Sequence, residues 1–110
     1  MYRNIAQQIR DFGAEYTIVP KTWILPHDYK LFQKEREESE GKHKFWIIKP
    51  ANSSCGRGIK LLSKTSKVPK HGAYVINNYL MHPHLIKGYK YDLRVYVLVT
   101  SFDPLTIYVY

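Results

Sequence analysis

Two short apolar runs set the terms for any fold of this chain. They are Phe45-Trp46-Ile47-Ile48 and Leu61-Leu62, separated by the small-residue loop Lys49-Pro-Ala-Asn-Ser-Ser-Cys-Gly-Arg-Gly-Ile59. Runs this short, bounded by glycine and proline, read as strand, loop and strand. The strands are expected over 44–49 and 58–63. Lys49 then stands at a strand end beside a loop that bares its backbone N–H groups, which suits a polyphosphate. The loop is neither a Walker A sequence nor Gly-x-Gly-x-x-Gly, and a plain glycine-rich turn has the same composition.

The rest of the chain reads as one α+β domain at most, with an antiparallel sheet and few helices. Apolar spacing at Ile5, Ile9 and Phe12 predicts an amphipathic helix over 1–14, stopped by Gly13. Glu15–Val19 reads as a strand ended by Pro20. Asp28 is placed to cap a helix over Tyr29–Glu38, with Leu31 and Phe32 on its buried side. Residues 35–42 form a charged, solvated stretch, and 63–72 a polar, basic loop. Ala73–Leu80 is expected as a strand, broken by Met81-His82-Pro83-His84. Tyr89–Ser101 is the longest β run. Asp103-Pro104 marks a turn, and Thr106–Tyr110 completes a hairpin. The chain stops at Tyr110 inside an apolar run, where a fragment of a larger domain is the expectation.

Lys90, Asp92 and Arg94 fall at alternate positions of the long run, so a strand there puts all three on one face. Tyr91, Leu93, Val95, Val97 and Val99 occupy the other, core-like face. Lys90 and Arg94 can hold phosphate or carboxylate oxygens, the arginine bidentately, and Asp92 between them can orient both or accept from a ribose hydroxyl. An exposed sheet face with alternating charges is the plainer alternative.

The formal net charge is +8 over 110 residues. Such a balance fits an anionic partner, or serves solubility alone. Cys55 is the single cysteine, which excludes a disulfide framework and a cysteine zinc site and fits a reduced compartment. No apolar run approaches the roughly 20 residues of a membrane span. His27, His43, His71, His82 and His84 are scattered, and His82-Pro83-His84 lacks a third ligand at metal-site spacing. No RNA-recognition or helical DNA-reading pattern is present.

Phe45–Pro50, Gly56–Ile59, Tyr79-Leu80 and above all Leu85–Pro104, with Pro20–Pro26 upstream, resemble the tubulin–tyrosine ligase-like proteins. The resemblance covers nearly the whole chain from Phe12. It implies part of an ATP-grasp fold, spanning 1–110 and truncated at the C-terminus. The implied activity is ATP-dependent ligation of an amino acid, glutamate foremost, to the acidic tails of tubulin through an acyl phosphate. Lys49 would contact ATP phosphate. Cys55, Gly56 and Gly58 would belong to the loop that closes over it. Asn77, Asn78, Tyr79 and Leu80 would form the hinge beside the adenine, with backbone donor and acceptor. Lys90 and Asp92 would face the nucleotide, and Arg94 would act catalytically near the γ-phosphate. Asn77 and Asn78 depart from the residues usual at the hinge, as does His84 after its proline.

The resemblance also implies magnesium, with ligands beyond Tyr110, so the 110-residue chain alone is expected to be inactive. Tubulin or microtubules and ATP are the implied partners, without membrane or nucleic acid. The implied location is cytoplasmic and cytoskeletal, with cilium or basal body among the candidate places. A non-catalytic basic module that binds microtubules or another polyanion is the alternative reading.

Overall fold

The computed structural model describes residues 1–39 and 45–110. His43, the first residue of the strand expected over 44–49 and the end of the charged stretch lie outside the described residues. In chain order the elements are α1 (Tyr2–Phe12), a single 3-10 turn (Ala14–Tyr16), β1 (Thr22–Leu25), α2 (Tyr29–Glu38), β2 (Trp46–Pro50), β3 (Lys60–Leu62), β4 (Tyr74–Asn78), β5 (Leu85–Ile86), β6 (Tyr89–Lys90), β7 (Val97–Phe102) and β8 (Leu105–Val109). This is an α+β fold of antiparallel sheets with few helices.

The first four strands form one sheet in the order β1-β4-β2-β3, each antiparallel to its neighbours. Strands β3 and β4 therefore run parallel, and the connection 63–73 must cross from the sheet edge back past β2. Side chains alternate between the faces. Register pairs Trp23 with Ile76, Ile76 with Ile48 and Trp46 with Leu62 on one face, which α2 covers. The core is Trp23, Leu25, Phe32, Trp46, Ile48, Leu62 and Ile76. Phe32 enters it from α2, with its ring 5.2 Å from Trp23 and 5.5 Å from Trp46, edge-on to both.

The crossover is held on this face at two points. Val68 packs against the core. The buried Arg36 of α2 donates from Nη2 to the carbonyls of Ser63, Lys64 and Ser66, and its guanidinium lies over the Phe32 ring at 5.7 Å.

Asp28 occupies the N-cap position of α2, but its side chain does other work. Its Oδ2 accepts the Ile24 N–H at 2.8 Å, tying the helix start to β1. Other departures from the sequence reading have local causes. Residues 15–19 form no strand; Ala14–Tyr16 is the 3-10 turn, and the strand comes later as Thr22–Leu25, between Pro20 and Pro26. Leu31 is exposed, because the α2 stripe that meets the sheet runs through Phe32 and Arg36.

The long β run is not one strand. Lys87 and Gly88, at φ 50 and 82, make a two-residue turn with both residues left-handed, the form that matches hairpin twist. This turn joins β5 to β6. Residues 91–96 follow without regular structure, and β7 and β8 then form the terminal hairpin around Asp103-Pro104. The face expected to be core-like is exposed: Leu93 is 78% and Val97 58% accessible. Among the described residues nothing packs over it.

Candidate functional site

The second face of the sheet is open. Register places Thr22, Ile24, Ile47, Lys49, Val75 and Asn77 there. All six line a cleft of about 860 Å³, closed on one side by Tyr2, Arg3, Asn4 and Ile5 of α1, and elsewhere by Asn78, Tyr79, Leu80 and Lys90. The wall is apolar along Ile24, Ile47 and Val75. Its charged lining side chains are Arg3, Lys49 and Lys90, with no carboxylate among them. An apolar slot with convergent cations suits a planar ring carrying an anionic tail.

The polar positions are fixed by local bonding. Thr22 Oγ1 donates to the Pro20 carbonyl at 2.7 Å and accepts from Asn77 Nδ2 at 2.6 Å, which locks the Asn77 amide. The N–H groups of Asn78 and Tyr79 are committed to the Lys21 and Phe45 carbonyls, both at 2.9 Å. Within the 78–80 stretch the uncommitted backbone donor is therefore that of Leu80, whose N–H makes no bond among the described residues. The β5–β6 turn carries Lys90 to the cleft, its Nζ 5.4 Å from the centre of the Tyr79 ring.

The structure thus brings together Lys49, Asn77, Asn78, Tyr79, Leu80 and Lys90. Cys55, Gly56 and Gly58 lie outside the cleft lining, on the exposed loop that leaves its rim at Ala51. Asp92 and Arg94 are also exposed and outside the lining, since the strand that would align them with Lys90 is interrupted after β6. Sequence reasoning missed the wall residues Thr22 and Ile24, and Arg3. The signal for the wall was Trp23-Ile24-Leu25 between two prolines; nothing in the α1 sequence marks Arg3 as facing a cleft.

The loop has built-in order. Ser53 Oγ donates to the Arg57 carbonyl at 2.9 Å, and the Arg57 N–H donates to Ser54 at 3.1 Å. Gly58 sits at φ 72, where an added Cβ would lie 2.9 Å from Pro50 Cγ. Gly58→Ala is therefore expected to cost about 1–2 kcal/mol from the left-handed backbone alone. The check is a lower denaturant midpoint with an unchanged m-value.

The antiparallel sheets and the few helices are consistent with a partial ATP-grasp-type α+β domain. The tubulin-tyrosine ligase family model matches residues 1–110, the whole chain, and the chain belongs to that family. It is 44% identical over 110 residues to "Tubulin polyglutamylase TTLL7" of Mus musculus, covering 98% of this chain and 12% of that protein. It is 42% identical over 111 residues to "Tubulin monoglutamylase TTLL4" of Mus musculus, covering 100% of this chain and 9% of the relative. A "Probable beta-tubulin polyglutamylase" of Tetrahymena thermophila is 40% identical over 108 residues, covering 98% and 9%. The chain thus spans about a tenth of the length of these relatives.

Proposed function

We propose that this chain supplies part of the ATP site of a ligase that joins glutamate to the acidic tails of tubulin through an acyl phosphate. The observation that carries the ATP reading is the gathering of Lys49, Lys90 and the 77–80 segment around one carboxylate-free cleft. Ile24, Ile47 and Val75 offer a surface for the adenine, and the Leu80 N–H offers an edge donor. The cations offer charge for the phosphates. Closure of the 51–59 loop, with Cys55, Gly56 and Gly58, and the roles of Asp92 and Arg94 near the transferred phosphoryl are supported by the family resemblance.

Glutamate and tubulin are supported by the names of the relatives. Among the described residues no three His, Cys, Asp or Glu side chains gather into a metal site. No helix of the described residues is long and apolar enough to cross a membrane. Work on tubulin would place the protein at microtubules, those of cilia and basal bodies included.

The test is titration of the purified chain with a ribose-labelled fluorescent ATP, with and without magnesium. Saturable binding displaced by ATP, and displaced more weakly by AMP, is expected. No displaceable binding under either condition would overturn the reading.

A further inference from the structure

The terminal hairpin takes no part in the cleft. From 95 to 110 the only charged residue is Asp103, although the chain as a whole carries +8. Strands β7 and β8 pair only with each other among the described residues, so both outer edges of this sheet are open. Two strands alone are marginally stable in water; a further strand or a covered face is needed.

The register sorts the hairpin side chains into two unlike faces. Val97 stands opposite Val109 and Val99 opposite Ile107 on one face, with Leu98 opposite Tyr108 on the other. The register shifts between Val99 and Ser101. This bulge swaps the parity of β7. Ser101 joins Thr106 on the Tyr108 face, and Phe102 joins Leu105 on the Val99 face. One face is therefore wholly apolar: Val97, Val99, Phe102, Leu105, Ile107 and Val109. All six are exposed, Phe102 at 85%.

We infer that this apolar face binds a second copy of the chain, two hairpins stacking face to face about a two-fold axis. Three observations favour a copy over another partner. First, the face is graded in size. Phe102 and Leu105 stand at the turn end, Val97 and Val109 at the open end. A two-fold axis across the strands reverses one hairpin on the other, so the bulky end of each meets the small end of its partner. Val99 and Ile107 then meet their own copies, in the aligned stacking of a β-sandwich. Second, the face has no charge to recognise a polyanion or a polycation. Third, the area suffices. Side chains of these types each offer on the order of 60–120 Å² to bury, so six reach the roughly 600 Å² per partner at which stable interfaces begin.

The test is sedimentation equilibrium of the unmodified chain from low to high micromolar concentration, at low and high salt. A monomer–dimer equilibrium is expected. It should strengthen with salt, because screening relieves the repulsion between two chains of charge +8. Val99→Lys sets like charges against each other at the axis and should weaken the dimer at least about tenfold. Tyr108→Lys, on the opposite face of the same hairpin, should leave it near the original. A second pair of variants keeps the strands free of added charge. Under mild oxidation, Val99→Cys with Cys55→Ser should yield a covalent dimer, and Tyr108→Cys with Cys55→Ser should not. A monomer at every concentration and salt would overturn the proposal. So would open-ended growth through the strand edges, equal effects of the two lysine variants, or binding to uncharged phosphatidylcholine vesicles in preference to dimerisation. Labelled-ATP binding is expected to be unchanged in Val99→Lys, since the cleft lies on the four-stranded sheet.

Discussion

Replacing Lys49 by alanine is expected to weaken ATP binding by about 10- to 100-fold, the loss that follows from removing one charge-assisted contact worth roughly 1.5–3 kcal/mol. Lys49 lies on the open face of β2, between Ile47 of the same face and the cross-strand Val75. Its side chain is exposed to the cleft and supports no packing. Thermal stability without ligand should therefore stay the same. Affinity for adenosine should also be nearly unchanged, because the apolar wall remains. That contrast gives the experiment its force. A parallel loss of adenosine and ATP would mean that Lys49 shapes the wall, and the phosphate role would have to be abandoned. Lys49→Arg keeps the charge and should recover part of the affinity for ATP.

The largest effect on stability is expected at Phe32. Its side chain is fully buried, wedged edge-on between Trp23 of β1 and Trp46 of β2, with the Arg36 guanidinium over its ring. Phe32→Ala removes this apolar area and leaves a hole that two rigid indoles cannot fill, at a cost of about 3–5 kcal/mol. The loss also unseats Arg36, which fastens the crossover between β3 and β4. A domain of this size holds on the order of 5–15 kcal/mol in total, so the variant should lose much of its resistance to urea. Phe32→Leu keeps most of the volume and should cost much less. A change below about 1 kcal/mol for the alanine variant would mean that α2 does not form the roof of this core.

The elements legible in the sequence were those whose pattern is local. The β2-loop-β3 unit, α2 and the terminal hairpin each announce themselves by an apolar run and a turn within a few residues. Strand β1 was hidden because Glu15–Val19 carries as strong a β signature, and only pairing with β4 decides between them. The alternation of Lys90, Asp92 and Arg94 was real in sequence, but the strand ends at Lys90 and the irregular 91–96 segment carries Asp92 and Arg94 away from it. Within the cleft, Lys49 was legible from its place between an apolar run and a glycine loop, Lys90 from the charged alternation it begins, and the 77–80 segment from resemblance. The wall at Thr22 and Ile24 and the cation at Arg3 were not, since their placement depends on contacts distant in sequence.

The two tryptophans of the chain, Trp23 and Trp46, are both in the α2-side core, whereas Tyr96, Tyr108 and Tyr110 are exposed at the terminal hairpin. The chain therefore carries separate optical handles on its two largest β units. Indole emission follows the four-stranded sheet and is blind to the hairpin, while tyrosine emission includes the hairpin. An unfolding curve recorded on tryptophan alone describes the sheet, and says nothing of whether the hairpin melts with it.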